Sequence, residues 1–261
     1  QGRLALFHHW RPQLLTDFHE MGSNSTYFFQ PGIPSRNNPN TPVRNFELTA
    51  ALAEYHADWH NRQGTLYYSK ETFDDYFYGK GSTYPDINGA IGILFEQASA
   101  RSLKRVTNDG ILTFPFTIRN QFISSMSTLA GGLALRKELL LYQRDFYKSA
   151  VAAARRNTVK AYVLDLSSSR TRTQALVQML LRHRIRVFEL DKVVETGNGR
   201  FLPGETVLIP MDQPQTRMIK TAMERVTSFE DSIFYDVSAW SLPLAMRVRT
   251  GELHKYDDGL A

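Results

Sequence analysis

The chain has 261 residues, 42% hydrophobic and 22% charged, with a formal net charge of +5 from 31 Lys and Arg against 26 Asp and Glu. That is enough for two domains with cores of their own, and no apolar run approaches the ~18 residues of a membrane span, so no membrane segment is expected. The lack of cysteine excludes disulfides, thiolate metal ligands and a cysteine nucleophile.

In chain order, residues 1–12 read as the end of a helix. The chain opens at Gln1 without a methionine or a signal-type apolar stretch, and an internal cut is the expectation. Gln13 to His19 alternates like a strand entering a core and stops at His19. Residues 22–42 are rich in Gly, Ser, Asn and Pro and are expected to form a long loop with no regular element. Long loops inside compact domains are usually functional. Apolar residues at helical spacing predict a helix from Phe46 to Gln63, started by Thr41-Pro42. An irregular aromatic stretch from Phe73 to Pro85 leads into Ala90–Glu96, a short apolar strand ending at a carboxylate. Phe116 to Arg156 carries one long helical pattern.

A new cycle begins after Asn157-Thr158. Lys160–Leu166 reads as a strand, Arg170–His183 as a helix and Ile185–Leu190 as a second strand, a unit that places its strands parallel in one sheet. Thr206–Pro210 continues that sheet, and Gln215–Arg225 reads as a further helix. The expected fold is therefore α/β, with a mixed-sheet domain over residues 1–156 and a smaller parallel-sheet domain over residues 157–261.

Basic clusters at Arg155-Arg156, Arg170 with Arg172, and Arg182 to Arg186 are dispersed and lack interleaved aromatics. They read as solvated helix faces, and no nucleic-acid partner is expected. His56 and His60 have the i, i+4 spacing that puts two imidazoles on one helix face, but the Glu of a zincin helix is missing, so a solvated face is expected there too. Arg36 and Arg44, in and just after the first loop, are candidates for bidentate pairing with a carboxylate. Ser167-Ser168-Ser169 reads as helix capping, with anion binding as the alternative. His19-Glu20, Tyr84 and Glu96 fall at strand ends and in long loops, where α/β enzymes bind ligands. By residue type alone, a buried His beside a Glu is more often a satisfied structural pair.

Three segments resemble, in order, parts of the bacterial carboxypeptidase A-like zinc peptidases. Leu15-Thr-Asp-Phe-His-Glu-Met-Gly-Ser-Asn-Ser-Thr-Tyr-Phe-Phe29 is similar to the strand and loop bearing the third zinc ligand. Gly81-Ser-Thr-Tyr84-Pro85 is similar to the segment with a mobile substrate-capping tyrosine, and Gly92-Ile-Leu-Phe-Glu96-Gln-Ala to the strand that delivers the catalytic glutamate. The resemblance covers about residues 1–150. It implies His19 as a zinc ligand, Tyr84 as a catalytic hydrogen-bond donor to substrate, Glu96 as general base, a peptide or amide substrate, and a periplasmic or secreted location; Arg36 is the substrate contact expected from its residue type and loop position. Asp17 and Glu20 would orient the His19 ring.

The family's His-x-x-Glu pair, which supplies the other two ligands, has no counterpart here. The nearest variant, His254-Lys-Tyr-Asp257, comes in the wrong order and reads as surface chance. The resemblance thus implies a missing N-terminal part of the same domain, zinc in the full-length protein, and a chain that alone binds it weakly and is inactive. The later part, through its strand-helix-strand start, Asp212-Gln-Pro-Gln215 and Ser238-Ala-Trp-Ser-Leu-Pro-Leu244, resembles the glutamine amidotransferase-like domain attached to some carboxypeptidase-like proteins. Without a cysteine it is expected to be noncatalytic. The alternative to a hydrolase is a binding protein that uses a peptidase-like cleft for recognition.

Overall fold

The computed structural model describes residues 2–228 and 241–260. In chain order the elements are α1 (Gly2–Trp10), β1 (Leu14–Met21), β2 (Tyr27–Phe29), a short 3-10 turn (Pro34–Arg36), α2 (Val43–Arg62), β3 (Tyr67–Tyr68), α3 (Thr83–Asp86), β4 (Ile91–Ala98), β5 (Lys104–Thr107), β6 (Gly110–Thr113), α4 (Phe114–Ala134) and α5 (Arg136–Arg156). There follow β7 (Ala161–Asp165), α6 (Arg170–Arg182), β8 (Phe188–Glu189), β9 (Val194–Thr196), β10 (Gly199–Phe201), β11 (Thr206–Pro210), α7 (Thr216–Met223), α8 (Leu242–Ala245), β12 (Thr250–Leu253) and a closing 3-10 turn (Asp258–Leu260). The architecture is mixed α/β. The described residues divide into one compact unit over 12–144 and another over 2–11, 145–228 and 241–260, so the division falls inside α5 rather than at Asn157-Thr158.

The first unit is built on a four-stranded sheet of order β1-β4-β2-β3. β1 runs parallel to β4, β2 runs antiparallel to β4, and β3 runs parallel to β2. β4 is apolar at nearly every position because both of its faces are covered. Tyr27, Phe28 and Phe29 of β2 are fully buried beside it. This corrects the expectation of a loop without regular structure over 22–42: three consecutive aromatics supply a central strand, and the Gly- and Pro-rich flanks only bracket it.

One face of the sheet is covered by α2 and α4. Buried residues of α2 recur at Asn45, Leu48, Leu52, His56 and His60, one stripe at helical spacing. The long pattern from Phe116 to Arg156 forms two helices, since α4 ends at Ala134, just after Gly131-Gly132.

The second unit has a sheet of order β12-β7-β11-β8, around a core of Ala161, Val163, Leu190, Phe201, Leu208 and Leu253. β7 and β8 do lie in one sheet with α6 between them in sequence. However, β11 inserts between the two, and every ladder in that sheet is antiparallel. The expected parallel sheet is thereby corrected. Local patterning fixes the strand-helix-strand order, while pairing is decided by β11, far downstream of β7, which takes the intervening slot (Ala161 pairs Pro210).

Candidate functional site

The parallel register of β1 and β4 pairs Asp17 with Leu94, His19 with Glu96 and Met21 with Ala98. Partners across a parallel ladder project to the same face, with strand axes about 4.8 Å apart. His19 and Glu96 therefore stand side by side near the C-terminal ends of both strands. On the opposite face, Phe18 stacks on Phe95 with ring centroids 4.8 Å apart, which fixes the alternation.

Asp17, two residues before His19 on the same face, has Oδ1 3.1 Å from His19 Nε2. The His19 side chain is 52% exposed, whereas Glu96 is only 8% exposed, and Glu96 Oε2 is buried with no hydrogen-bond partner among the described residues. Burial is the main reason the Glu96 carboxyl is pushed up from its ordinary value. The His19 ring opposes the rise and Asp17 adds to it.

This face is covered by the segment after β3. Any side chain at Gly81 would collide with the Asp17 carboxylate, and one at Gly92 with the backbone carbonyl of Ser82. Two glycines thus let the segment lie directly on β1 and β4. Tyr84 follows in α3, buried at 9% exposure, its N–H donating to the Lys80 carbonyl and its carbonyl accepting from Asn88 Nδ2. Arg36 ends the 3-10 turn, half-buried, with its carbonyl accepting from the Asp75 N–H. Arg44 lies just after that loop in the first turn of α2, where its guanidinium pairs with Glu47 at 2.8 Å on the surface.

The same covering segment carries two fully buried carboxylates that sequence reasoning missed. Asp75 Oδ1 accepts from Gln30 Nε2 and, at 3.2 Å, from Thr83 Oγ1. Asp86 Oδ1 accepts from Asn45 Nδ2 at 3.0 Å and from the Gly92 N–H at 2.8 Å. Burial raises Asp75 to about 6, and burial with the neighbouring Asp75 charge raises Asp86 well above its ordinary value. Gln30 completes the link by accepting from the Leu94 N–H at 2.6 Å. These groups tie the segment to β4 directly behind the His19–Glu96 pair. Nothing local distinguishes Asp75 and Asp86 from surface loop acids.

His56 and His60 are fully buried, which corrects the expected solvated face. Both project from the buried stripe of α2 toward α4. His56 Nδ1 lies 2.6 Å from Ser127 Oγ, and His60 Nε2 3.0 Å from Ser124 Oγ, which in turn donates to the Tyr27 hydroxyl at 2.7 Å. Burial lowers His56 to about 3 and His60 to about 4, so both are neutral at pH 7. Their register with Leu48 and Leu52 was the available signal.

A cavity of about 300 Å³ opens at the end of β4 on the helix-covered side, lined by Tyr27, Thr65, Gln97, Leu112, Phe116 and Asn120 among others. Neither His19, Glu96 nor Tyr84 lines it. Its polar walls satisfy one another: Asn120 Nδ2 donates to Gln97 Oε1 at 2.9 Å and Thr65 Oγ1 to Asn120 Oδ1 at 3.2 Å.

In the second unit, Ser167 and Ser168 donate to Asp165, the Ser167 hydroxyl at 2.7 Å, and Arg249 Nε donates to the same carboxylate at 3.2 Å. Burial works against the charged form of Asp165, but Arg249 and the serines outweigh it and hold the carboxyl well below the usual range. The serines are thus taken up by an acid of the chain itself. Gln213 and Gln215 of the Asp212–Gln215 segment bond the carbonyls of Pro210 and His183, a structural use. Residues 238–240 of the Ser238–Leu244 segment lie outside the described residues.

Among the described residues no three His, Asp or Glu side chains gather as a metal-ligand group. His19 with Asp17 and Glu96 therefore does not by itself fit a three-ligand catalytic zinc. Compared with known protein families, curated proteins and solved structures, the chain matches none.

Proposed function

We propose that the β1–β4 end is one part of a hydrolytic centre for peptide or amide bonds, of the zinc carboxypeptidase type, with Glu96 as its general base. The observation that carries this reading is the His19–Glu96 register: an accessible imidazole beside a buried carboxylate with one oxygen unengaged. Such a carboxylate takes a proton from an attacking water and returns it to the leaving amine, so that one C–N bond breaks, one C–O bond forms and Glu96 ends unchanged. His19 is the residue this chain would offer to a zinc, and the remaining ligands would have to come from outside the described residues. Tyr84 and Arg36 would contact the substrate.

The test is hydrolysis of N-acylated dipeptides bearing a free C-terminal carboxylate by the intact gene product, with zinc measured in the same preparation. The expected result is zinc-dependent cleavage that Glu96→Gln reduces by about 10²- to 10⁴-fold with folding unchanged. The acid limb of the rate profile should lie above the ordinary glutamate range, since Glu96 must be ionised and its carboxyl is raised. Asp17→Asn should move that limb down. A gene product that binds these peptides without zinc or cleavage would assign the cleft to recognition instead.

A further inference from the structure

We propose that the cavity of about 300 Å³ at the helix-covered end of β4 is a binding site for a small monocarboxylic acid with a compact apolar body, held as its carboxylate. Ligand pockets run from roughly 300 to 1,000 Å³, so this one suits a molecule of about one aromatic ring rather than a peptide. Tyr27, Thr65, Gln97 and Asn120 make its inner wall, and all four are buried. Leu66, Asp109, Ile111 and Phe116 stand exposed at its mouth.

The direction of the hydrogen bonds in that wall is set by Arg119, which can only donate. Its Nη2 donates to Thr65 Oγ1 at 3.0 Å and to Asn120 Oδ1 at 3.3 Å. Thr65 Oγ1 passes its own hydrogen to the same Asn120 oxygen. Both lone pairs of that oxygen are thereby engaged, and the Asn120 amide is oriented with Nδ2 donating to Gln97 Oε1 at 2.9 Å. Gln97 Nε2 in turn donates to the Ala98 carbonyl at 3.0 Å. A primary amide carries two hydrogens, and each of these two amides uses one among the described residues. The deepest part of the wall is therefore left with two N–H hydrogens that lack acceptors, on residues sealed from bulk water.

The charge behind the wall selects the ligand's sign. Arg119 is the sole charge of α4, takes part in none of the ion pairs among the described residues, and has its Nε buried without an acceptor. Its guanidinium lies 4.6 Å from the centroid of the Phe116 ring. Its field also reaches inward: after burial, the Arg119 charge is the second cause that lowers His60. A carboxylate in the cavity accepts from the spare amide N–H groups and stands one hydrogen-bonded residue away from this unpaired cation. Bonds to a charged acceptor are about twice as strong as neutral ones. An ammonium would meet donors and a like charge at the same place. Leu66, Ile111 and Phe116 flank the apolar body, and Asp109 at the mouth repels a second carboxylate.

Proton NMR titration of the protein with benzoate, benzamide and benzylamine reads the site directly, because the three probes share one ring and differ in charge. Benzoate is expected to bind saturably and about tenfold or more tighter than either of the others. Asn120→Asp keeps the acceptor for Arg119 and Thr65 but exchanges the amide donor for a negative charge, so it should weaken benzoate about tenfold or more. Ile111→Glu is the second variant, at a hairpin position 68% exposed where the thermal melt should not change. The acid it brings to the mouth should weaken benzoate several-fold, and it decides the matter if Asn120→Asp does not fold. Absent saturation by benzoate, or benzamide or benzylamine bound as tightly, would overturn the proposal. So would benzoate binding unchanged in a folded Asn120→Asp protein or in Ile111→Glu. Neither zinc nor hydrolysis is measured, so the outcome is independent of the function proposed above.

Discussion

The two faces of the β1–β4 pair handle buried polarity in opposite ways. Under the helices, His56 and His60 are held neutral, each with one ring nitrogen on a serine of α4. Under the segment that carries Tyr84, Asp75, Asp86 and Glu96 are all raised carboxyls, and one Glu96 oxygen is left without a donor. The histidine pair, expected on a solvated face from its spacing, is sealed, while the solitary His19 is open to solvent. Exposure and second partners, rather than residue type, separate chemistry from packing.

The sharpest way to break this contrast is Gly92→Ala. The obstacle is a backbone carbonyl, so the segment must lift from β4. A loss of about 3 kcal/mol or more in urea unfolding is expected, together with exposure of Asp75 and Asp86. If the protein unfolds at the wild-type midpoint, the close packing described for this face is wrong. Next in size, His56→Ala should cost about 2–3 kcal/mol through the cavity and the lost hydrogen bond to Ser127, whose hydroxyl keeps the Ser124 carbonyl as its acceptor. It should leave the acid limb set by Glu96 where it was.

The faces also separate by pH. His56 is lowered from 6.5 to about 3, so its contribution is intact above pH 6.5 and is lost as pH falls through that window, at up to about 1.4 kcal/mol per pH unit. Asp75 is raised from 3.8 to about 6, so its contribution is greatest below pH 4 and is lost as pH rises to 6. Chemical denaturation across pH 3 to 7 should show Asp75→Asn steepening the acid loss and His56→Phe flattening it. The smallest stability change belongs to His19→Ala, within about 0.5 kcal/mol, because the ring is half exposed. A large destabilisation there would make His19 structural.

Much of the element order was legible because it is written locally. β4 opens on an apolar run and β7 is apolar up to Asp165, α6 keeps helical spacing, and His19 and Glu96 each fall two residues before their strand ends. What was not legible is decided at a distance. Tyr27-Phe28-Phe29 is three residues long and becomes a central strand only because β4 lies beside it. The pairing of β7 with β11 rather than β8 is invisible in the segment that contains β7 and β8. His56 and His60 were misjudged because polar residues in an apolar stripe look like its end, when α4 turns serines toward them. Asp75 and Asp86 gain meaning only from Gln30 and Asn45, which come from two other places in the chain.

The contact between Asp17 and His19 also selects a tautomer. Gly81 leaves the Asp17 carboxylate hemmed in by the neighbouring segment, and its Oδ1 meets the Nε2 side of the imidazole. A neutral His19 would therefore carry its hydrogen on Nε2, leaving the lone pair on Nδ1. Whatever electrophile or donor this ring serves must approach from the Nδ1 side, and the imidazole nitrogen-15 shifts of the folded protein report which atom is bare.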